Sequence, residues 1–405
     1  MAAASLSTVP YLYKTLWPQE RVENEVYDDN PFLALVPKDE NFVGDSLYLA
    51  LRYADSRGRS ATFSTAQANK NPHKGVRFNL TRGHDYALFD VDHESILAAK
   101  KDKGALIRLL DTEMGSALNA LTRSLAIALY QDGSGTRGQI DTNDPGVGTT
   151  FTLANLNDVT NFEVGMSIVF AATATGALRA GGARTVSAVN RGTGVITVSA
   201  AIDAAVGASD FVIAEGDAAN GGSIILPTGL LGWIPSSDPG ATAFFGVDRT
   251  PDVTRLGGIR VDESALNPEE GLAACLALMS REGAKPSHVM RNPIDYKNLQ
   301  VALGSKVETE YMEVGEIGFT AIRVNGPKGQ VRIVADQNCP GGRGFALTMK
   351  TLKFYSLEKA PMTIEADGQS ILRNSTTDTF EGRMAYYANL GCTAPGWNAN
   401  ETLPS

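Results

Sequence analysis

The sequence predicts an α+β fold in several domains, and three observations point to it. First, the apolar residues Leu106, Leu110, Met114, Leu118, Leu121, Leu125 and Ala128 step by three and four positions, which is the spacing of one helix face. Second, two strand-like runs precede that helix, the first alternating with Leu47, Leu49 and Leu51 on one side. Third, the chain from about residue 306 onward is dominated by short strand patterns. At 405 residues the chain is long enough to divide into two or three domains with separate cores.

Residues 1–41 form an N-terminal arm. Prolines at 10, 18, 31 and 37 break it, while Tyr11, Tyr13, Trp17, Tyr27 and Phe32 make it too apolar for a free tail. Such a segment is expected to lie across its own domain or a neighbouring subunit. Residues 42–91 read as an extended hairpin, with strands over 42–54 and 76–91. Between them runs a polar connection carrying Arg57, Arg59, Lys70, His73 and Lys74, long enough to mark a functional loop. The four arginines and lysines suit an acidic partner surface, so they are the candidate subunit-interface residues; a merely solvated loop fits their chemistry equally.

The helix is expected from about 102 to 131, with Asp102 as its N-cap. Thirty residues give roughly 45 Å, a spine for a broad, flat body. Residues 92–147 hold this spine helix and the start of a peripheral domain. After the helix, Asp132, Gly133 and Gly135 form a structural turn. Gly133, Gly135 and Gly138 also spell G-x-G-x-x-G, but a dinucleotide turn needs a strand before it and a helix after it. Here a helix comes first and loop composition follows, an order that argues against the nucleotide reading.

Residues 148–217 are rich in Ala, Gly, Thr and Val, with strand patterns at 166–170, 184–189, 195–199 and 211–214 and a turn at Asn190-Arg191-Gly192-Thr193-Gly194. This reads as an inserted all-β domain. Helices are expected at 268–281, with Glu269 and Glu270 in the first turn, and at 293–303. Strands are expected at 331–335, 345–349, 362–365 and 382–389.

Composition argues against most chemistry. A net charge of −9 opposes non-specific attraction to nucleic-acid backbones. No apolar run reaches the length of a membrane span, and the first residues carry no basic-then-apolar signal, so a soluble cytosolic product is expected. Cys275, Cys339 and Cys392 are far apart and make no C-x-x-C, so no zinc or disulfide framework is indicated. The densest catalytic-looking cluster is His84, Asp85, Asp90, Asp92, His93 and Glu94. Strand alternation sends Asp90 and Asp92 to one face and Phe89, Val91 and His93 to the other, which separates candidate metal ligands. There is no phosphate loop, no G-x-S-x-G and no H-E-x-x-H. No catalytic, cofactor or metal residues are assigned.

Four segments, taken in order, resemble the major capsid proteins of tailed bacteriophages, the Hong Kong 97-like fold. Ala128-Leu129-Tyr130-Gln131-Asp132-Gly133-Ser134-Gly135 is similar to the end of that family's spine helix. His288-Val289-Met290-Arg291-Asn292-Pro293-Ile294-Asp295-Tyr296 is similar to the strand-to-helix step of its axial domain. Val334-Ala335-Asp336-Gln337-Asn338-Cys339-Pro340 resembles the segment leaving that domain. Asp378-Thr379-Phe380-Glu381-Gly382-Arg383, with Asn389-Leu390-Gly391-Cys392, resembles the closing strands of the peripheral domain. On this resemblance 218–344 is mainly axial domain and 345–405 returns to the peripheral domain.

The resemblance implies a structural protein that assembles with itself into pentamers and hexamers of an icosahedral shell around double-stranded DNA. It implies no cofactor, no sequence-specific DNA contact and no membrane. Further implied partners are a separate scaffolding protein, a portal and, optionally, a decoration protein. The virion is the implied location, with assembly in the host bacterial cytoplasm. A nanocompartment shell of the same fold, enclosing enzymes, is the nearest alternative; a nucleotide- or metal-dependent enzyme is a more distant one.

Overall fold

The computed structural model describes residues 30–93, 103–144, 146, 148–219, 224–304, 308–314, 317–365, 371–373 and 378–404, with backbone only at 92, 103–112, 308–314 and 317–320. Most of the arm, the expected cap Asp102 and Glu94 therefore lie outside the described residues.

The chain enters through helix α1 (Pro31–Leu35), where proline occupies the first turn and forfeits no helical hydrogen bond. Phe32 and Leu33 are fully buried, so this part of the arm packs on its own subunit. Strand β1 (Lys38–Asp39) then runs parallel to β17 (Leu352–Ser356).

Strands β2 (Ser46–Ala54) and β3 (Lys74–Thr81) form the hairpin, with Leu47 opposite Leu80, Leu49 opposite Phe78 and Leu51 opposite Val76. The polar connection contains a helix that the sequence reading did not foresee, α2 (Phe63–Ala68). The expected second strand over 76–91 is in fact two. It breaks at Arg82, and β4 (Gly83–Asp92) crosses into another sheet against β20 (Thr379–Cys392). The cause is a close backbone crossing: a Cβ at Gly83 would lie 2.3 Å from the Pro227 nitrogen, and the His84 N–H donates to the Ile225 carbonyl.

The spine helix α3 (Lys103–Ala128) spans 26 residues, roughly 39 Å. Met114, Leu118, Leu121 and Leu125 are buried in one core with Phe89, Val91, Met384 and Tyr386. The helix thus lies along one face of the peripheral sheet, ordered β1-β17-β20-β18, with β4 and β19 (Ile371–Arg373) also pairing β20; β18 is Met362–Thr363.

The inserted domain is an antiparallel six-stranded sheet ordered β5-β10-β7-β8-β9-β6. Its strands are β5 (Thr136–Gln139), β6 (Gly148–Thr152), β7 (Ser167–Ala171), β8 (Arg184–Asn190), β9 (Val195–Ile202) and β10 (Phe211–Ala214). The sheet takes its first strand from before position 148, because β5 pairs with β10. Phe151, Phe162, Ile168, Ile196 and Val212 form a core of its own.

Two short helices, α4 (Leu230–Trp233) and α5 (Val253–Gly257), lead to the axial body. That body is a seven-stranded mixed sheet, ordered β11-β21-β16-β12-β15-β14-β13. Its strands are β11 (Ile259–Asp262), β12 (His288–Arg291), β13 (Glu308–Val314), β14 (Ile317–Gly326), β15 (Gly329–Ala335), β16 (Arg343–Leu347) and β21 (Ala399–Thr402). Helices α6 (Pro268–Arg281) and α7 (Pro293–Leu303) cover it through Leu272, Leu276, Met279 and Leu299. Glu269 and Glu270 begin α6 and Arg281 ends it, matching the helix dipole at both termini. No helix among the described residues is long and apolar enough to cross a membrane.

Candidate assembly surfaces

The turn after the spine helix is built on backbone that side chains resist. Gly133 and Gly135 have φ of +87° and +79°, in the left-handed region that favours glycine. A Cβ at Gly133 would also sit 2.7 Å from Ile224 Cγ2, and one at Gly135 only 2.4 Å from the Asp217 carbonyl oxygen. The Asp132 carboxylate closes the turn by accepting the Ser134 N–H at 3.0 Å. Strand β5 follows the turn, where a dinucleotide site would have a helix.

Hydrogen bonds link the first three segments singled out in the sequence, and Asn389-Leu390 of the fourth reaches them through residues 228–233. Tyr130 Oη donates to Asp336 Oδ2 at 2.9 Å, and the Phe32 N–H donates to the same oxygen at 3.2 Å. Asn292 Nδ2 donates to the Cys339 carbonyl at 3.0 Å. Asn389 Oδ1 accepts the Thr228 N–H at 2.8 Å, and Trp233 Nε1 donates to the Leu390 carbonyl at 2.7 Å. Burial raises the Asp336 carboxyl above its ordinary range, while the hydrogen bonds from Asn338, Tyr130 and Phe32 oppose the shift.

The far end of the hairpin stands away from this core. Its base is anchored by buried Phe78 and Leu80 and by Arg82, which donates to the Phe42 and Gly44 carbonyls. Beyond that, Arg57, Arg59, Lys70 and Lys74 are all exposed. The structure brings them to one end: a Cβ at Gly58 would lie 3.5 Å from Lys70 Cα, and Lys74 pairs with Ala54. Beside them Phe63, at the start of α2, is 82% exposed. No periodicity in the sequence marks Phe63, a lone aromatic in a polar run.

The peripheral sheet face opposite the spine is also open. Tyr86 and Leu88 are 47% and 57% exposed, and the Tyr86 and Tyr387 rings sit edge to face, 6.0 Å apart. The histidine–carboxylate cluster is dispersed across this sheet. Asp85 turns to the spine helix and accepts the Ser124 hydroxyl at 2.6 Å. His84 lies beside the Tyr86 and Tyr387 rings, and His93 contacts Asp378 at 3.2 Å. Asp90 is exposed. No metal-binding geometry results among the described residues of this cluster.

No family model matches the chain, and no curated protein matches it either. Among solved structures, the "Cyanophage A-1(L) capsid asymmetric unit" superposes with a TM-score of 0.54 at 12% identity, covering 96% of this chain and 99% of that one. The chain has the Hong Kong 97-like capsid fold. Looser likenesses include the "Capsid of native GTA particle computed with C5 symmetry", with a TM-score of 0.47 at 8% identity over 92% of this chain and 90% of that one. Another is "The capsid of Myoviridae Phage XM1", with a TM-score of 0.46 at 9% identity over 92% and 91%.

Among the described residues a buried ionisable cluster lies in the axial body, and no motif in the sequence announces it. Arg291 contacts Glu401 Oε2 at 2.7 Å and Glu263 Oε2 at 3.3 Å, with all three side chains at most 1% exposed. The Cys275 sulfur joins them, within 4.8 Å of an oxygen of each glutamate. Burial and the neighbouring Glu401 charge push the Glu263 carboxyl up to about 8, with Arg291 opposing. The guanidinium pairs Oε2 of each carboxylate, while Oε1 of Glu263 and of Glu401 is buried without a hydrogen-bond partner among the described residues. The signal was weak because the three charges lie on β12, on β21 and just after β11, far apart in sequence.

Proposed function

We propose that this chain is the major capsid protein of a tailed double-stranded DNA bacteriophage, building pentamers and hexamers of an icosahedral shell. The observation that carries the reading is the end-to-end correspondence with a capsid subunit, in which the hairpin is part of the shared fold. Physical chemistry supports it. Phe63, Tyr86 and Leu88 are exposed in the single subunit and gain free energy only when another surface covers them, at roughly 25 cal/mol per Å² of apolar area. The exposed cations Arg57, Arg59, Lys70 and Lys74 would set the register of that contact more than its strength. The overall charge of −9 suits a container that holds DNA without gripping it.

A separate scaffolding protein, a portal and an optional decoration protein complete the proposed partners, and the virion is the proposed location. We assign no enzymatic activity. Electron microscopy of the purified chain, expressed with and without its neighbouring phage genes, tests this reading. Shells, or rings of five and six, are expected; a monodisperse monomer under both conditions would overturn it. Particles from infected cells should protect DNA from nuclease. Protein cargo in place of DNA would assign the chain to a nanocompartment instead.

A further inference from the structure

Arg291, Glu263 and Glu401 leave a charge unmatched inside the axial body. One guanidinium faces two carboxylates, and all three side chains are at most 1% exposed. Arg291 takes only one oxygen of each glutamate. Its Nη2 donates to Glu401 Oε2 at 2.7 Å and to Glu263 Oε2 at 3.3 Å, and its Nε donates to Glu401 Oε2 at 3.1 Å. The other oxygens, Glu263 Oε1 and Glu401 Oε1, are buried with no hydrogen-bond partner among the described residues. A buried carboxylate oxygen without a donor is costly, and pairing it with a cation removes that cost.

The main chain is pared back around these carboxylates. A Cβ at Gly271, in the first turn of α6, would collide with the Glu263 carboxylate, and one at Gly344, on β16, would collide with Glu401 Oε2. One helical turn beyond Gly271, on the same face of α6, Cys275 brings its sulfur within 4.8 Å of an oxygen of each glutamate. Cys275 is itself fully buried. Two carboxylates and a sulfur thus converge from the residue after β11, from β21 and from α6.

We propose that Glu263, Glu401 and Cys275 bind a divalent cation of the zinc class, a structural staple inside the axial body. Carboxylate oxygen and thiolate sulfur both ligate zinc, at roughly 2.0–2.2 Å and about 2.3 Å, and small side-chain rotations bring the three atoms to those distances. Calcium and magnesium prefer oxygen alone, so the sulfur selects against them. Binding releases the Cys275 thiol proton to solvent. The charges then balance, two carboxylates and one thiolate against one guanidinium and one divalent ion. Arg291 keeps its hold on the Oε2 atoms and orients the carboxylates, as outer hydrogen-bonding groups do in metal sites. Because the ligands are buried, the ion enters while the chain folds, and it then joins α6 to the β11–β21 edge of the axial sheet. Without the ion a proton on Glu263 neutralises the cluster instead, so ion and proton compete for one place.

The test uses the full-length chain, produced in medium supplied with zinc or, separately, with cobalt, and washed with a chelator while folded. Mass spectrometry should find about one zinc per chain in wild type, and less than about a tenth of that in Cys275→Ser and in Glu263→Gln. Cobalt-loaded wild type should show sulfur-to-cobalt charge-transfer absorption, and folded Cys275→Ser should lose it. Wild type retaining less than about a tenth of an equivalent of zinc would overturn the proposal and leave the cluster to the proton. Zinc content in Cys275→Ser equal to that of wild type would overturn it too, by placing the ion elsewhere. Should the variants not fold, cobalt-loaded wild type without the charge-transfer band overturns it as well. The site lies within one subunit and the readouts need no shell, so the outcome is independent of the capsid reading.

Discussion

Tyr130 and Asp336 meet through a buried 2.9 Å hydrogen bond that joins the end of the spine helix to the end of β15. They are separated by 206 positions in the chain, yet both stand in segments singled out by their resemblance to capsid proteins. Tyr130→Phe keeps the ring against Phe32 and Phe345 and deletes only the donor. Destabilisation of about 1–3 kcal/mol is expected, read as a lower urea midpoint with an unchanged slope. An unchanged midpoint would mean the contact contributes nothing.

The axial triad gives a pH prediction. Glu263 has its folded value raised to about 8, so its contribution to stability is complete below the ordinary glutamate range and is lost as pH rises through about 8. Glu263→Gln imitates the protonated form. It should unfold near the wild-type midpoint at about pH 4, at a higher midpoint than wild type at about pH 7, and show a flatter decline between these values. Arg291→Ala leaves Glu401 without its buried cation and should cost about 3–5 kcal/mol. Equal pH profiles for wild type and Glu263→Gln would show that Glu263 does not hold the proton.

Gly133→Val forces a β-branched residue into φ of +87° and against Ile224 and Thr228. Backbone strain alone should cost roughly 1–3 kcal/mol, with lower thermal stability and particle yield. Wild-type values for both would show that the turn tolerates a side chain.

The hairpin prediction separates folding from assembly. Reversing Arg57, Arg59, Lys70 and Lys74 to glutamate touches only exposed side chains, so each change should alter subunit stability by less than about 0.5 kcal/mol. Particle formation should fall, and its salt dependence should change. Phe63→Ser should also reduce particle yield while leaving the circular dichroism spectrum unchanged. Normal assembly of both variants would remove this end of the hairpin from the interface.

Local pattern by itself determined much of this protein. The predicted helices at 268–281 and 293–303 match α6 and α7, because caps, prolines and apolar periodicity all act within one or two turns. The predicted strands of the insert fall on β7 to β10 for the same reason. The alternation around Phe89 and Val91 correctly separated a core face from a solvent face. The glycine turn was legible as a turn, since the order of elements around it is itself local information.

Tertiary structure decided the rest. The break at Arg82 depends on Gly83 passing close to Pro227, a contact no window around residue 83 contains. The start of the inserted sheet at Thr136 depends on pairing with Phe211–Ala214. Helix α2 in the hairpin connection buries no residue, so no apolar stripe announced it. The triad of Glu263, Arg291 and Glu401 arises only when distant strands are brought together. Burial then sets the charge state of these groups, and burial belongs to the folded chain as a whole.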